Sequence, residues 1–350
     1  MIIDLPDTTT QALNDRLVSL RDSGGVVALG RVMTLVIVAD EACAERAVRA
    51  ANDASREHPC RILTVVRRDG CSAGCPPGPG DGGGTARMDA QIRVGGDAGA
   101  SEVLVLRLRG ALAGHADSVV VPLLLPDAPT VAWWPGQAPA APQDDPIGRM
   151  AQRRITDAAR CNEPIASIVQ RADGHAPGDT DLSWSRTTRW RGLLASALDQ
   201  PPFEPVVSAH VTGAADSPSA PLMAGWLSMR LGCEAHWHRT APGTGLTGVR
   251  LARPSGDVLL ERPDGVTAVL RQPGRPVRSV AMPRRSDSEC LAEELRRLDP
   301  DEVFAEVLAR GLPLLPSLTD LSDVPGPCRQ AVPGTAAGTA PDGPGGGEGR

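Results

Sequence analysis

The sequence predicts an α/β fold in two α/β-type domains, the second turning α+β through an antiparallel meander. Three observations carry that expectation. Short apolar runs rich in β-branched residues alternate with helix-length segments in the first half, the mark of parallel strands joined by crossovers. QPPFEP at Gln200–Pro205 then breaks all regular periodicity. Beyond it, PSG, PDG and PG turns (Pro254–Gly256, Pro263–Gly265, Pro273–Gly274) punctuate short strands at hairpin spacing. The expected units are residues 1–200, with a Gly/Pro-rich insertion over 70–84, residues 201–324, and a disordered tail over 325–350.

Thr34–Val38 reads as a buried strand. Asp40 follows as a helix cap, because its carboxylate accepts from the bare N–H groups of a first turn. Cys43, Ala47, Ala50, Ala51 and Ala54 then recur at helical spacing as a small-residue packing face. Arg61–Arg67 is the next strand, and a crossover of this length makes the pair parallel. Ala90–Val94 and Glu102–Leu108 follow as strands. Ala111–Leu125 is a helix that Pro122 must kink or end, since proline lacks the donor a helix interior needs. Thr130–Trp134 is a strand ending in two tryptophans against Pro135-Gly136, and Pro135–Pro146 is a connector. A short strand at Arg154–Thr156 precedes helices at Glu163–Arg171 and Leu182–Leu198.

The second half opens on strand Val206–Val211 and a helix capped by Ser217 with Pro218 in its first turn. Leu222, Trp226 and Met229 share a face of that helix, and Gly232 closes it. The meander strands are Val249–Ala252, Val258–Arg262, Val266–Arg271 and Val277–Met282. Ser286 and Glu289 form a capping box ahead of Leu291, Leu295 and Leu298. Asp299, Pro300 and Glu302 open a last helix, with Leu298 and Val303 as a hydrophobic staple.

Composition excludes several classes. Of 350 residues 41% are apolar and 22% charged, which suits a globular protein, and the net charge of −6 steers it neither to nucleic acid nor to an anionic membrane. All 36 basic residues are arginine. Without lysine there is no Walker A lysine, Schiff base or lysine nucleophile. The longest apolar stretch, Val119–Leu125, is far short of the roughly 20 residues a span needs. MIIDLPDTTT lacks the basic and apolar regions of a signal peptide, so the expected compartment is the cytoplasm, where the eight cysteines are free thiols.

No catalytic signature emerges. There is no H-E-x-x-H and no G-x-S-x-G, and Gly95, Gly96 and Gly99 miss the dinucleotide spacing and precede a strand. Cys71 and Cys75, spaced C-x-x-x-C within a segment where ten of fifteen residues are Gly or Pro, read as a surface insertion rather than a redox pair. Glu234, His236 and His238 share one strand face, but Cys233 points away, so a polar edge-strand face outweighs a zinc site. Asp179 and Asp181 sit where turns and caps are expected. Arg153 and Arg154 with Asp157 could grip a phosphate, or form a salt-bridge network. Arg93 is a further arginine for a sugar-phosphate site. Trp133 and Trp134 are the strongest binding signal: neighbours on a strand face opposite ways, so Trp133 is expected inside and Trp134 at the loop surface, either in a partner contact or plugging a domain interface.

Several long strings stand in one order: GGVVALGRVMTLVIVADE (Gly24–Glu41), ANDASREHPCRILTVV (Ala51–Val66), the block Asp89–Gly136 with HADSVVVPLLLPDAPTVAWWPG, APGDTDLSWSRTTRW (Ala176–Trp190), LERPDGVTAVLRQPG (Leu260–Gly274) and LAEELRRLDPDEVF (Leu291–Phe304). Through them the chain resembles the glucose-6-phosphate dehydrogenase assembly protein OpcA family, from about Val26 to Leu308. The resemblance implies a non-catalytic partner that assembles or allosterically activates glucose-6-phosphate dehydrogenase, with no cofactor or metal of its own; glucose 6-phosphate and NADP would bind the partner. The rival expectation is a sugar-phosphate enzyme or metabolite sensor using a strand-end pocket near Trp134.

Overall fold

The computed structural model describes residues 1–22, 32–67, 86–94 and 102–319. The Gly/Pro-rich insertion at 70–84 with Cys71 and Cys75, the glycines Gly95, Gly96 and Gly99, and the tail from 325 lie outside the described residues.

Among the described residues fourteen strands form two sheets. The first half contributes β1 (Ile2–Leu5), β2 (Met33–Ala39), β3 (Cys60–Arg67), β4 (Arg87–Arg93), β5 (Glu102–Arg109), β6 (Thr130–Trp134), β7 (Arg153–Thr156) and β8 (Asp179–Asp181). Their order is β1-β4-β5-β3-β2-β6-β7-β8. The run β5-β3-β2-β6-β7-β8 is parallel throughout, and β4 and β1 add antiparallel at one edge. Counting only the parallel strands in chain order gives 3-2-1-4-5-6, the doubly wound order that places a crevice where the winding reverses, here between β2 and β6.

Every residue of β2 and of β6 is buried, as strands covered on both faces must be. Met33, Leu35, Ile37, Val131 and Trp133 face α2 (Glu41–Ala54) and a helix from the far end of the chain, α10 (Asp287–Arg296), which adds Cys290, Leu291, Ala292 and Leu295. Val36, Val38, Ala132 and Trp134 face α1 (Thr10–Asp22), α4 (Ala116–Val120) and Ile147 of α5 (Pro146–Met150). Asp40 caps α2 as expected, accepting from Cys43 N at 2.8 Å. Pro122 ends the helical run: α3 (Ala111–Gly114) and α4 give way to a 3-10 turn, Val121–Leu123.

The second sheet is ordered β10-β9-β11-β12-β13-β14. Strands β9 (Ser208–Ala214) and β10 (Glu234–Thr240) are parallel, joined by α9 (Ser219–Leu231). The meander follows as β11 (Leu246–Ala252), β12 (Val258–Glu261), β13 (Thr267–Arg271) and β14 (Arg278–Ala281), antiparallel at each step. Strand β9 starts two residues later than the sequence predicts. Ser217 does not cap α9; Pro218 holds that position without a side-chain cap bond, and Gly232 closes the helix at φ +63°. The capping box of Ser286 and Glu289 on α10 is present. The cap of α11 (Glu302–Glu306) is Asp301, not Asp299, because Asp301 reaches Phe304 N at 2.9 Å. A π turn (Val307–Gly311) extends α11 and crosses α9 with Gly225 against Gly311, backbone on backbone: a Cβ at Gly225 would lie 2.8 Å from the Gly311 carbonyl carbon.

The two cores do not divide at residue 200. After α6 (Pro164–Asp173), the expected helix Leu182–Leu198 is two, α7 (Leu182–Ser185) and α8 (Thr188–Leu198). Ile168, Trp184, Trp190, Leu194 and Ala197 from these helices pack into the core of the second sheet, while α10 returns to the first. QPPFEP interrupts secondary structure without marking the edge of a core. The chain ends its described course in α12 (Pro316–Thr319).

Candidate functional site

The crevice between β2 and β6 is the first place to look for a ligand in this topology. Its chemistry opposes an anionic one. Where a dinucleotide needs glycines and bare N–H groups, α2 begins with Asp40, which occupies Cys43 N, and Glu41, which pairs with Arg107 at 3.1 Å. Burial, with Asp40 beside it, pushes the Cys43 thiol up to about 11, so it stays protonated.

Past the ends of β7 and β8 lies a buried charge network. The Arg186 guanidinium donates to both carboxylate oxygens of Asp157, at 2.7 and 2.8 Å, and to Asp287 at 2.9 Å. Asp287 is also reached by Arg46 at 2.7 Å and by Arg160 at 3.5 Å. Asp181 accepts from Thr156 Oγ1, Ala158 N, Arg171 and Ser183 N. Burial raises the Asp157 carboxyl against the pull of Arg186, whereas at Asp287 burial loses to Arg186, Arg160 and Arg46, which hold it low. Asp157 and Asp181 are fully buried and committed to partners within the protein.

This network forms the floor of a cleft of ≈ 640 Å³ between the two halves. Arg46 and Arg49 of α2 stand on one side. Asp216 and Ser217 before α9, the β10–β11 turn at Gly243 and Gly245, Arg262 after β12, and the strap Arg284–Ser288 leading into α10 stand on the other. Among the described residues seven arginines and three aspartates line it. Arg262 is held by the carbonyls of Met282 (2.9 Å) and Leu246 (3.0 Å), with its guanidinium 5.2 Å from the Trp190 ring. Burial, and then neighbouring Arg284, depress it to about 10. Arg284 donates to the carbonyls of Gly243 and Thr244.

None of the candidate binding residues Trp133, Trp134, Arg93, Arg153 and Arg154 lines this cleft. Trp133 and Trp134 are both fully buried, so the outward-facing Trp134 is corrected: covering by α1, α4 and α5 seals the second face of β6 as completely as the first. Arg93 pairs with Glu45. Arg153 forms a buried ion pair with Glu294 and donates to Asp299 O at 2.6 Å. Arg154 pairs with Asp179 and donates to Ala151 O at 2.9 Å. A salt-bridge network, not a phosphate grip, is what these arginines make. Glu234, His236 and His238 do share a face of edge strand β10, with Glu234 3.5 Å from His236 Nε2, and His210 on β9 joins them, its Nδ1 3.0 Å from His238 Nε2. Among the described residues no group of three or more His, Cys, Asp or Glu could hold a metal ion. The cleft escaped sequence reasoning because α2 and the strap are some 240 positions apart; the local signal was only a run of basic residues beside turns and serine caps, as in RPDG and MPRRSDSE.

Residues 51–173 match the family model OpcA_G6PD_assem, described as the N-terminal domain of a glucose-6-phosphate dehydrogenase subunit. Residues 177–308 match OpcA_G6PD_C, described as the C-terminal domain of the same subunit. Among solved structures, the chain is similar to the UDP-N-acetylglucosamine 3-dehydrogenase GnnA of Acidithiobacillus ferrooxidans, at 9% identity and TM-score 0.39 over 81% of this chain and 96% of that one. A Gfo/Idh/MocA family oxidoreductase of Vibrio cholerae gives 8% identity and TM-score 0.32 over 83% and 99%. No curated protein matches the chain.

Proposed function

The chain belongs to the OpcA family of glucose-6-phosphate dehydrogenase subunits, and from that premise we propose that it is a non-catalytic assembly factor and allosteric activator of glucose-6-phosphate dehydrogenase. It would act in the cytoplasm, at the entry to the oxidative pentose phosphate pathway. The observation that carries this reading is the pair of family-domain matches, which run nearly unbroken from residue 51 to 308. Site chemistry supports it. The crevice between β2 and β6 is blocked to phosphates by Asp40 and Glu41, and the buried carboxylates are committed to arginines. At the rival sugar-phosphate position the Trp134 indole is covered and Arg93, Arg153 and Arg154 are paired, which favours the partner reading.

Activation then follows from linkage. A partner that binds one conformation or oligomer of the enzyme better than another shifts the population toward it, by no more than the difference in affinity. The test is to mix the chain with its host's purified dehydrogenase, then measure mass by light scattering and rate at fixed substrate. A complex of higher mass with a raised rate is expected, and no turnover from the chain alone. An unchanged mass and rate, or oxidation of glucose 6-phosphate by the isolated chain, overturns the reading.

A further inference from the structure

We propose that the arginine-lined cleft between α2 and the strap into α10 is a binding site for a phosphorylated small molecule carrying two or more negative charges. The argument begins with an imbalance. Asp287 is shared by Arg46, Arg160 and Arg186. Asp216 gives both oxygens to Gly243 N, Asp53 pairs with Arg56 at 3.7 Å, and Arg285 is taken by Glu293. Arg49, Arg262 and Arg284 remain with no carboxylate within ion-pair distance among the described residues.

Arg262 is the decisive member. It is 6% exposed, its Nε has no hydrogen-bond partner, and it lines the cleft. A buried guanidinium bonded to carbonyls and an aromatic face, beside a second arginine and offset by the longer-range pull of Asp264, keeps its charge at a cost that an anion would remove. Its depressed proton affinity expresses the same imbalance.

Two further features suit a phosphate. Helix α9, 13 residues long, starts at the cleft with no side-chain cap; Ala220 N is taken by Ser217 O and Pro221 has no N–H, so the Ser219 N–H is the first-turn donor left for an anion. Paired N–H donors on guanidinium match phosphate oxygens bidentately. The volume lies within the range of small-molecule sites, with room for a sugar or nucleoside beyond the phosphate. Because Arg49 comes from the first half and Arg262 and Arg284 from the second, such a ligand would tie the halves together.

The test needs no dehydrogenase, so its failure is separable from failure of the proposed function. The full-length chain is titrated by calorimetry, at constant ionic strength, with inorganic pyrophosphate, glucose 6-phosphate and ADP, and its melting temperature is followed with each. One-to-one binding of at least one of them, with a raised melting temperature, is expected; whichever binds more tightly, sugar phosphate or nucleotide, names the source. The double variant Arg49→Ala/Arg284→Ala removes two exposed side chains and should weaken binding about tenfold or more. Arg278→Ala on β14, outside the cleft, should leave it unchanged. No binding of any probe at millimolar concentration, or equal binding by the double variant, overturns the proposal.

Discussion

Trp133 and Trp134, consecutive in β6, belong to two different cores. Trp133 packs among Leu35, Ile37, Ala47 and Leu291, and Trp134 among Val36, Leu17, Val120 and Ile147. The alternation of side chains along a strand sends one indole to each face of the same sheet.

Each is therefore a structural anchor. Trp133→Ala and Trp134→Ala should each destabilise the fold by about 3–5 kcal/mol, the range for emptying a buried aromatic site. Denaturant unfolding of both variants checks this. A variant as stable as the parent would mean that its indole is not packed as described.

The Arg153–Glu294 pair joins β7 to α10, with both side chains 5% exposed. Glu294→Gln leaves Arg153 buried without its counter-charge and should cost about 3–5 kcal/mol. Arg153→Met/Glu294→Leu, which removes both charges, should be markedly more stable than either single change. A double-mutant cycle by chemical denaturation reads the coupling directly.

Two glycines on neighbouring helices should respond in opposite directions. Gly192 in α8 is exposed and a Cβ there meets nothing within 4 Å, so Gly192→Ala should stabilise by roughly 0.5–1 kcal/mol. Gly225 in α9 abuts the Gly311 backbone, which cannot yield as a side chain would, so Gly225→Ala should cost about 1–3 kcal/mol. Thermal melts of the two variants should move apart.

Stability should also fall as pH drops through the histidine range. Burial lowers His210, aided by His236, His238 and Arg250 and opposed by Asp257; burial likewise lowers His175. A folded-state value below the ordinary 6.5 means that the unfolded chain binds the proton more readily, so this stability is present above 6.5 and lost on acidification. His175→Gln/His210→Gln should flatten the melting profile between about pH 7.5 and 5.5. An equally steep profile in the variant would remove these histidines as the cause.

Much of the architecture was legible because it is locally encoded. The all-apolar run of β2, the Asp40 cap and the turn-punctuated meander each follow from neighbours in sequence. Strand β1 is not, since its four residues become a strand only by pairing with β4, Ile3 against Ile92. The three-residue β8, Asp-Thr-Asp, carries no strand signal and is held by β7. The cleft was least legible of all. Whether an arginine is free depends on which carboxylate the fold brings to it, and Arg46 and Arg186 meet Asp287 only across 241 and 101 positions.

The return of α10 to the first sheet sets an order of events during synthesis. Leu291 and Leu295 complete the face that α2 only partly covers. At roughly 5–20 residues per second, the ribosome needs on the order of ten to fifty seconds to make the chain from the end of α2 to α10. Throughout that interval Ile37, joined by Trp133 once β6 is made, lacks part of its final cover, and the emerging second half must not capture it. The helix that finishes the first sheet is thus also a timer, and an N-terminal fragment ending near residue 200 should be sticky where the whole protein is not.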